Sequence, residues 1–322
     1  MATVLIETSG YDVTTTKVMA WLHAWGYTCV RVNEEDPIAE LSLCIADSGA
    51  YFVMVLKSGI EVDSRSLASY WFRRPAFTTS VPSGFPEPLQ RVLEAEWQAV
   101  TSAIHDLLLP IHKLGNPGPE QNKPNLVQLL ATQRLGIAVP PTLIANTRAA
   151  LLDFLAAYPS AITKRIEALP QLTHEGVLWA AGGTQLLTPD AVRELDPTFF
   201  PALVQSYVEK AFELRIFYLK GNFYPMAILP ARGRPPLLDV RQPMSPHDQR
   251  LVPYTLPPSW EGRLRSLMEI LGLDTASIDA VVTPDDRMVF LEANPVGQLD
   301  WLSRECNYHL EEHIARYLAG ES

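Results

Sequence analysis

Near the C-terminus two runs of the chain, Ser277–Thr283 and Met288–Glu292, are largely apolar, yet one holds Asp279 and the other ends in Glu292. An acid inside an apolar strand needs a partner there, because burying an unmatched charge is too costly. Pro284-Asp285-Asp286 separates the two runs and supplies turn residues, so they read as an antiparallel hairpin. A tight hairpin sets Asp279 opposite Glu292. Asn294 lies two residues beyond Glu292, and side chains two apart on a strand leave the same face. Two carboxylates and an amide oxygen form a hard, oxygen-only set. It suits Mg²⁺, which keeps some of its waters and shares its other positions with phosphates. A strand end with solvated acids and an Asn-Pro turn reads equally well from these residues alone.

The rest of the chain must support such a hairpin. The predicted opening is parallel α/β: a strand at Thr3–Glu7, a helix at Thr14–Trp25 stopped by Gly26, and a strand at Cys29–Val32. Tyr51–Leu56 reads as a member of an antiparallel pair, Ser69–Phe72 as an aromatic strand, and Pro86–Leu109 as a long helix ended by Pro110. Gly115, Asn116, Pro117, Gly118 and Pro119 break the pattern there. The expected units are therefore 1–115, an α/β domain; 116–200, a small central domain; and 201–322, a C-terminal antiparallel-sheet domain. In the central unit a helix is predicted from about Pro124 to Leu135. A second helix, Thr147–Ala157, falls among short strands at Thr142–Ile144, Ala161–Ile166, Leu178-Trp179 and Thr184–Leu187. Leu203–Val208, Glu213–Leu219 and Phe223–Leu229 read as one antiparallel sheet, with Gly221-Asn222 as the turn between the last two. Helices are expected at Gly262–Leu271 and Glu305–Leu318. The fold class is thus α/β in the first part and α+β in the last.

Composition excludes several functions. Of 322 residues, 26 are Lys or Arg against 36 Asp or Glu, a net charge of −10, which argues against nucleic acid as the main partner. The three cysteines, Cys29, Cys44 and Cys306, are far apart, and no CxxC pair occurs. That usage is expected of a reducing cytoplasm rather than of a disulfide framework. No apolar run reaches membrane-spanning length, and the seven histidines show no metal spacing.

Two further groups of residues carry chemistry. Lys123 opens the helix after the Gly/Pro loop, and Lys164 stands in the apolar stretch Ala161–Ile166. Two lysines flanking a cleft can clamp phosphates, although a lone strand lysine is more often a solvated edge charge. Between Val204 and Arg215 a strand passes through the polar connection Tyr207-Val208-Glu209-Lys210 into a second strand, which carries Glu213 and Arg215 on one face. Backbone groups of such a connection can read an adenine edge, Glu213 can accept from ribose hydroxyls, and Arg215 faces phosphates. An ordinary hairpin with an exposed ion pair is the alternative.

Taken in order, Lys123, Lys164, Gln205 to Arg215 and the Asp279/Glu292/Asn294 set resemble the ATP-grasp ligases. More narrowly, four stretches are similar to those of the graspetide, or microviridin-type, macrocyclases that mature ribosomally made peptides. They are Tyr70–Pro75; Asn116–Gln128 running into Gly136–Thr142; Gln205–Arg215; and Phe290–Gln298. The sequence departs from the common pattern where Arg165 follows Lys164 and in the loop Trp179–Thr184.

The resemblance implies an ATP-grasp fold and a ligase that uses ATP and Mg²⁺. It assigns Lys123, Lys164, Gln205, Tyr207, Val208 and Glu213 to the nucleotide. Asp279, Glu292 and Asn294 are assigned to the metal, and Arg215 and Arg241 to the reacting carboxylate or its acyl phosphate. A substrate Asp or Glu is activated as an acyl phosphate and captured by Ser, Thr or Lys as an ester or amide. The implied partner is a precursor peptide with a leader and an acidic core, the leader docking around Leu172–Leu187. The implied assembly is a homodimer. A ligase that adds a free amino acid to a protein or small acid is the enzymatic alternative, and a leader-binding module without turnover is the non-enzymatic one.

Overall fold

The computed structural model describes residues 2–80, 84–118, 124–166, 172–174, 177–179, 184–230 and 249–321. Lys123, Arg241, most of the loop Trp179–Thr184 and part of the expected leader-docking stretch lie outside the described residues.

The opening is the expected parallel layer. Strands Thr28–Asn33, Thr3–Thr8, Leu67–Phe72 and His112–Leu114 lie side by side in that order, every pair parallel. The first crossover is the helix Val13–Ala24, which starts at Asp12, whose carboxylate accepts from the Thr15 N–H at 2.9 Å. Gly49–Leu56 is the expected antiparallel strand, and it pairs on both sides, with Ile38–Ala46 and with Glu61–Asp63. The long helix Glu87–Leu108 lies within one residue of its predicted ends.

The central sheet has the order Gln185–Leu187, Ala161–Lys164, Thr198–Ser206, Thr142–Thr147. Leu151 and Leu155 of the helix Arg148–Ala157 cover one face, packed with Ala161, Val192 and Val204. This corrects one expectation. Residues 203–206 do not join the sheet of residues 213–229; they pair with Lys164–Ala161 on one side and Ile144–Thr142 on the other. The polar connection at 207–210 turns the chain out of one sheet and into the next, and adjacency in sequence carries no signal for that change of sheet.

The third sheet is antiparallel throughout, in the order Gln249–Pro253, Asn222–Pro230, Phe212–Leu219, Thr275–Val282, Met288–Asn294. Leu219 pairs with Asn222, so the turn is Lys220-Gly221, one residue earlier than expected. Both turn residues have positive φ, 44° and 93°, the requirement of a two-residue hairpin turn that follows the strand twist. Both faces of this sheet are buried. Leu214, Ile216, Ile278, Ala280 and Phe290 pack against the helices Asn125–Arg134 and Pro258–Leu271. Phe217, Leu219 and Met226 pack on the opposite face with Leu302, Ile314 and the N-terminal residues Val4, Ile6 and Trp71.

The closing helix is two helices, Asp300–Cys306 and Leu310–Leu318. Asn307 and His309 between them are left-handed, with φ of 57° and 53°. The apolar spacing runs through the break and conceals it.

A buried ion cluster beside the N-terminal sheet reaches the C-terminal part of the chain, because its two arginines also donate to the carbonyls of Gly297 and Val296. Asp12 Oδ2 lies 3.1 Å from Arg73 Nε and 3.3 Å from Arg74 Nε. Burial tends to raise the Asp12 pKa, but Arg73, the Thr15 N–H and Arg74 together outweigh it and hold the carboxyl below its ordinary value. A group whose pKa is lowered by folding contributes stability above its unfolded pKa and loses it as pH falls through the folded one. That contribution is therefore complete above the ordinary carboxylate range and fades below it. Asp12→Asn leaves Arg73 buried beside a neutral partner and is expected to cost about 3–5 kcal/mol. It should also flatten the acid limb of the stability profile. Urea unfolding of both proteins across pH 3–7 checks this; equal stability at neutral pH would remove the cluster from the fold's essentials.

Candidate active site

The C-terminal hairpin pairs Ser277 with Asn294, Ile278 with Ala293 and Asp279 with Glu292. A bulge follows: the next partners are Ala280 and Phe290, so Leu291 is the extra residue. Its effect is large. Strict alternation puts Phe290 and Glu292 on one face, and Phe290 is fully buried against the helices. The extra residue reverses the alternation, so Phe290 and Ala293 stay in the core while Glu292 turns to the other side with Asp279 and Asn294.

The hairpin end is held from outside by the helix Asn125–Arg134. The Gln128 amide is a two-point clamp on Ala293, the residue between Glu292 and Asn294. Its Nε2 donates to Ala293 O at 2.9 Å, and its Oε1 accepts from Ala293 N at 2.8 Å. Asn125 Nδ2 donates to Glu292 Oε2 at 3.1 Å. Asn125 Oδ1 is buried and has no hydrogen-bond partner among the described residues, an acceptor left over beside the two acids. Sequence reasoning included both residues in a matching stretch but gave them no role. The available signal was a glutamine on a helix face otherwise occupied by Leu129, Ala131 and Thr132.

Asp279, Glu292 and Asn294 border a cavity of about 980 Å³ between the central and C-terminal sheets. Of the eleven residues singled out from the sequence, the nine described ones all line it: Lys164, Gln205, Tyr207, Val208, Glu213, Arg215, Asp279, Glu292 and Asn294. Lys164 and Gln205 come from neighbouring strands of the central sheet. Gln205 donates from Nε2 to Thr142 Oγ1 at 2.9 Å. Tyr207 N donates to Ser160 O at 2.8 Å, and Ala211 N to Val282 O at 2.7 Å, so both ends of the connection are pinned, each to a different sheet. Burial, with Glu213 and Glu209 nearby, raises the Tyr207 phenol pKa and keeps it a neutral hydroxyl.

Glu213 and Arg215 point from one face of their strand, opposite Val281 and Asp279. Arg215 Nη1 lies 2.6 Å from Asp279 Oδ1, and its Nε is buried with no partner among the described residues. Glu213 pairs with Lys210, a buried lysine that sequence reasoning passed over as part of a polar connection.

No cluster of three His, Cys, Asp or Glu occurs among the described residues. The donor set is two carboxylates and an amide, with the orphan Asn125 oxygen beside them. That chemistry fits an oxygen-seeking divalent cation whose remaining ligands are waters and phosphate oxygens.

Comparison of the whole structure decides its class. It superposes on macrocyclase MdnC of Microcystis aeruginosa, solved with its precursor peptide MdnA, with a TM-score of 0.81 and 24% identity over 99% of each chain. The chain has the ATP-grasp fold. A RiPP-associated ATP-grasp ligase of Chryseobacterium gregarium, solved with ADP and a leader and core peptide, gives a TM-score of 0.82 at 20% identity, covering 100% of this chain and 98% of that one. D-alanyl-alanine synthetase A of Vibrio cholerae matches less well, with a TM-score of 0.57 at 13% identity over 99% and 98% of the two chains. No family model and no curated protein matches the sequence. No helix among the described residues is long and apolar enough to cross a membrane.

The clamp on Ala293 yields a test within the ATP-grasp fold. Gln128→Leu keeps the volume but leaves the Ala293 N–H and C=O unpaired, about 1–3 kcal/mol for each buried group. Expected are a loss of stability in that range and a weaker affinity for Mg²⁺-nucleotide. Calorimetric titration with Mg²⁺-ADP reads the second effect. Unchanged affinity in a destabilised protein would confine Gln128 to the fold.

Proposed function

We propose that this protein is an ATP-dependent ligase that cross-links a ribosomally made peptide. In this reading it activates Asp or Glu side chains and joins them to Ser, Thr or Lys as esters or amides. The observation that supports it best is the convergence on one cavity of nine residues chosen beforehand, drawn from both sheets and the connection between them. The fold, shared along the whole chain with ligases solved with peptide and nucleotide, supports it further.

The roles follow from chemistry. The 207–210 connection offers backbone groups and the Tyr207 hydroxyl to the base, and Glu213, positioned by Lys210, accepts from ribose hydroxyls. Lys164 and Lys123 hold the phosphates. Asp279, Glu292 and Asn294 would hold Mg²⁺, which when bound offsets charge on the phosphoryl group in transfer. The substrate carboxylate attacks the γ-phosphorus of ATP, and the bond to the ADP oxygen breaks. The resulting acyl phosphate then loses phosphate to the incoming hydroxyl or amine, whose proton leaves. Arg215 and Arg241 stabilise the carboxylate and the acyl phosphate.

Arg215 starts this cycle paired with Asp279. If Asp279 held a cation, its carboxylate would be shared between the two, and the Arg215 guanidinium would be the more available to the substrate. The peptide's leader docks on the central unit, away from the reacting carboxylate, and an acidic core and a homodimeric enzyme complete the reading.

Incubation with Mg²⁺, ATP and the precursor encoded beside the gene is expected to remove one water per bond formed. Intact-mass spectrometry reads the loss directly. A product heavier by an added amino acid would overturn the reading in favour of a free-amino-acid ligase. Glu292→Gln should retain its fold, judged by melting temperature, and lose nearly all product formation.

A further inference from the structure

Three arginines from two distant parts of the chain converge on the loop that follows Asn294. Arg74 Nη2 lies 3.4 Å from Val296 O, Arg73 Nη2 lies 3.1 Å from Gly297 O, and Arg215 Nη2 lies 3.4 Å from Gln298 O. Three consecutive carbonyls are thus each held by a different guanidinium. The loop is pressed tightly into place: a Cβ added at Gly297 would stand 2.4 Å from Ser277 Cβ and 3.2 Å from Arg215 Nη2. The segment carrying Arg73 and Arg74 is itself fixed by Glu7. The Glu7 carbonyl accepts from both arginine N–H groups at 3.0 Å, and its buried carboxylate accepts from Ala76 N at 2.8 Å.

The two neighbouring arginines differ in one respect. The Arg73 side chain is 6% exposed and Arg74 is 34% exposed. Arg74 lines the cavity; Arg73 is not among its walls. Both rest on the same oxygen of Asp12, and Arg74 is the more exposed of the pair, so its guanidinium is the one presented to the cavity. Elsewhere on the wall Asp279 is matched by Arg215, Glu213 by Lys210 and Glu305 by Arg304, while Glu292 accepts from the neutral Asn125 amide. Of the five N–H bonds of Arg74, the described structure engages Nε and one on Nη2. The remainder of its fork is available to a planar anion.

We propose that Arg74 binds a carboxylate of the peptide substrate, so that the N-terminal unit supplies a specificity-determining cation to the cavity. This rests on the peptide-ligase reading above. An acidic peptide approaching a chain of net charge −10 needs such a local positive site. Arg74 stands beside Val296, two residues past Asn294, and is held immobile by Asp12 and the Val296 carbonyl. A pre-positioned fork of this kind selects a carboxylate over an amide.

The test uses full-length enzyme, wild type, Arg74→Gln and Arg74→Lys. The substrates are the precursor encoded beside the gene and copies with each Asp or Glu changed singly to Asn or Gln. Loss of one charge-assisted contact is expected to raise KM for the precursor about tenfold to a hundredfold in Arg74→Gln. Affinity for ATP should stay as in wild type, and the melting temperature should fall far less than in Asp12→Asn, because Arg73 still pairs with Asp12. Arg74→Lys should recover part of the loss. One neutralised peptide should be as poor for wild type as the intact peptide is for Arg74→Gln, with no further loss when both changes are combined. Equal KM in wild type and Arg74→Gln would overturn the assignment while leaving the ligase reading intact. So would a uniform loss against every peptide and ATP, which marks a structural residue. Failure of wild type to bind or convert any of the peptides overturns both.

Discussion

The pairing of Asp279 with Glu292 depends on one extra residue in the last strand. Leu291 breaks the two-residue alternation, and through that break the strand meets two demands at once. Phe290 must fill the core beneath the helices, and Glu292 must leave it. Without the bulge, Phe290 and Glu292 share a face, and either an aromatic ring is lost to the cavity or a carboxylate is forced into the core. The clamp from Gln128 makes the arrangement rigid, because it grips the backbone of Ala293 rather than either acid. The strand end that carries the acids is therefore positioned by main-chain hydrogen bonds.

A second dependence runs through the loop after Asn294. Its carbonyls accept from Arg73, Arg74 and Arg215, so the N-terminal sheet and the C-terminal sheet share one set of contacts. The Asp12 cluster stabilises the fold and also aims residues at the cavity. The cost of burying Arg73 is offset by Asp12, and the same carboxylate holds Arg74 at the cavity wall. Stability and site geometry are consequently coupled here: a substitution at Asp12 disturbs both, whereas one at Arg74 acts mainly on the wall and leaves the Asp12–Arg73 pair in place.

The connection at 207–210 plays a comparable part between the other two sheets. Its ends are pinned to Ser160 and to Val282, which lie in different layers, and its middle borders the cavity. A ligand bound there would touch both layers at once.

Much of this was legible in the sequence, and for identifiable reasons. Acids in apolar strands stand out because burial makes them expensive, so Asp279 and Glu292, with Asn294 two residues on, were singled out without a structure. Lys164 and the face shared by Glu213 and Arg215 followed from strand periodicity, and all of these line one cavity. The parallel opening came from periodicity with Gly26 as a stop, and the long helix at 87–108 from periodicity and the prolines at its ends. Periodicity is a local property, and it failed where the chain obeyed distant partners. It could not assign residues 203–206 to the central sheet, since both neighbouring sheets accept the same apolar alternation. It ran through the left-handed Asn307 and His309 because the helices on either side bury faces in the same phase. It gave no notice of the bulge at Leu291, whose only cause is the competition between the core and the cavity for neighbouring side chains. The roles of Gln128 and Arg74 were equally hidden. A polar side chain shows its purpose only when the group it holds, here Ala293 or Val296, is brought to it from more than a hundred and sixty residues away. Residue type and spacing determined which chemistry the chain carries; the packing of three sheets decided which residues hold that chemistry in place.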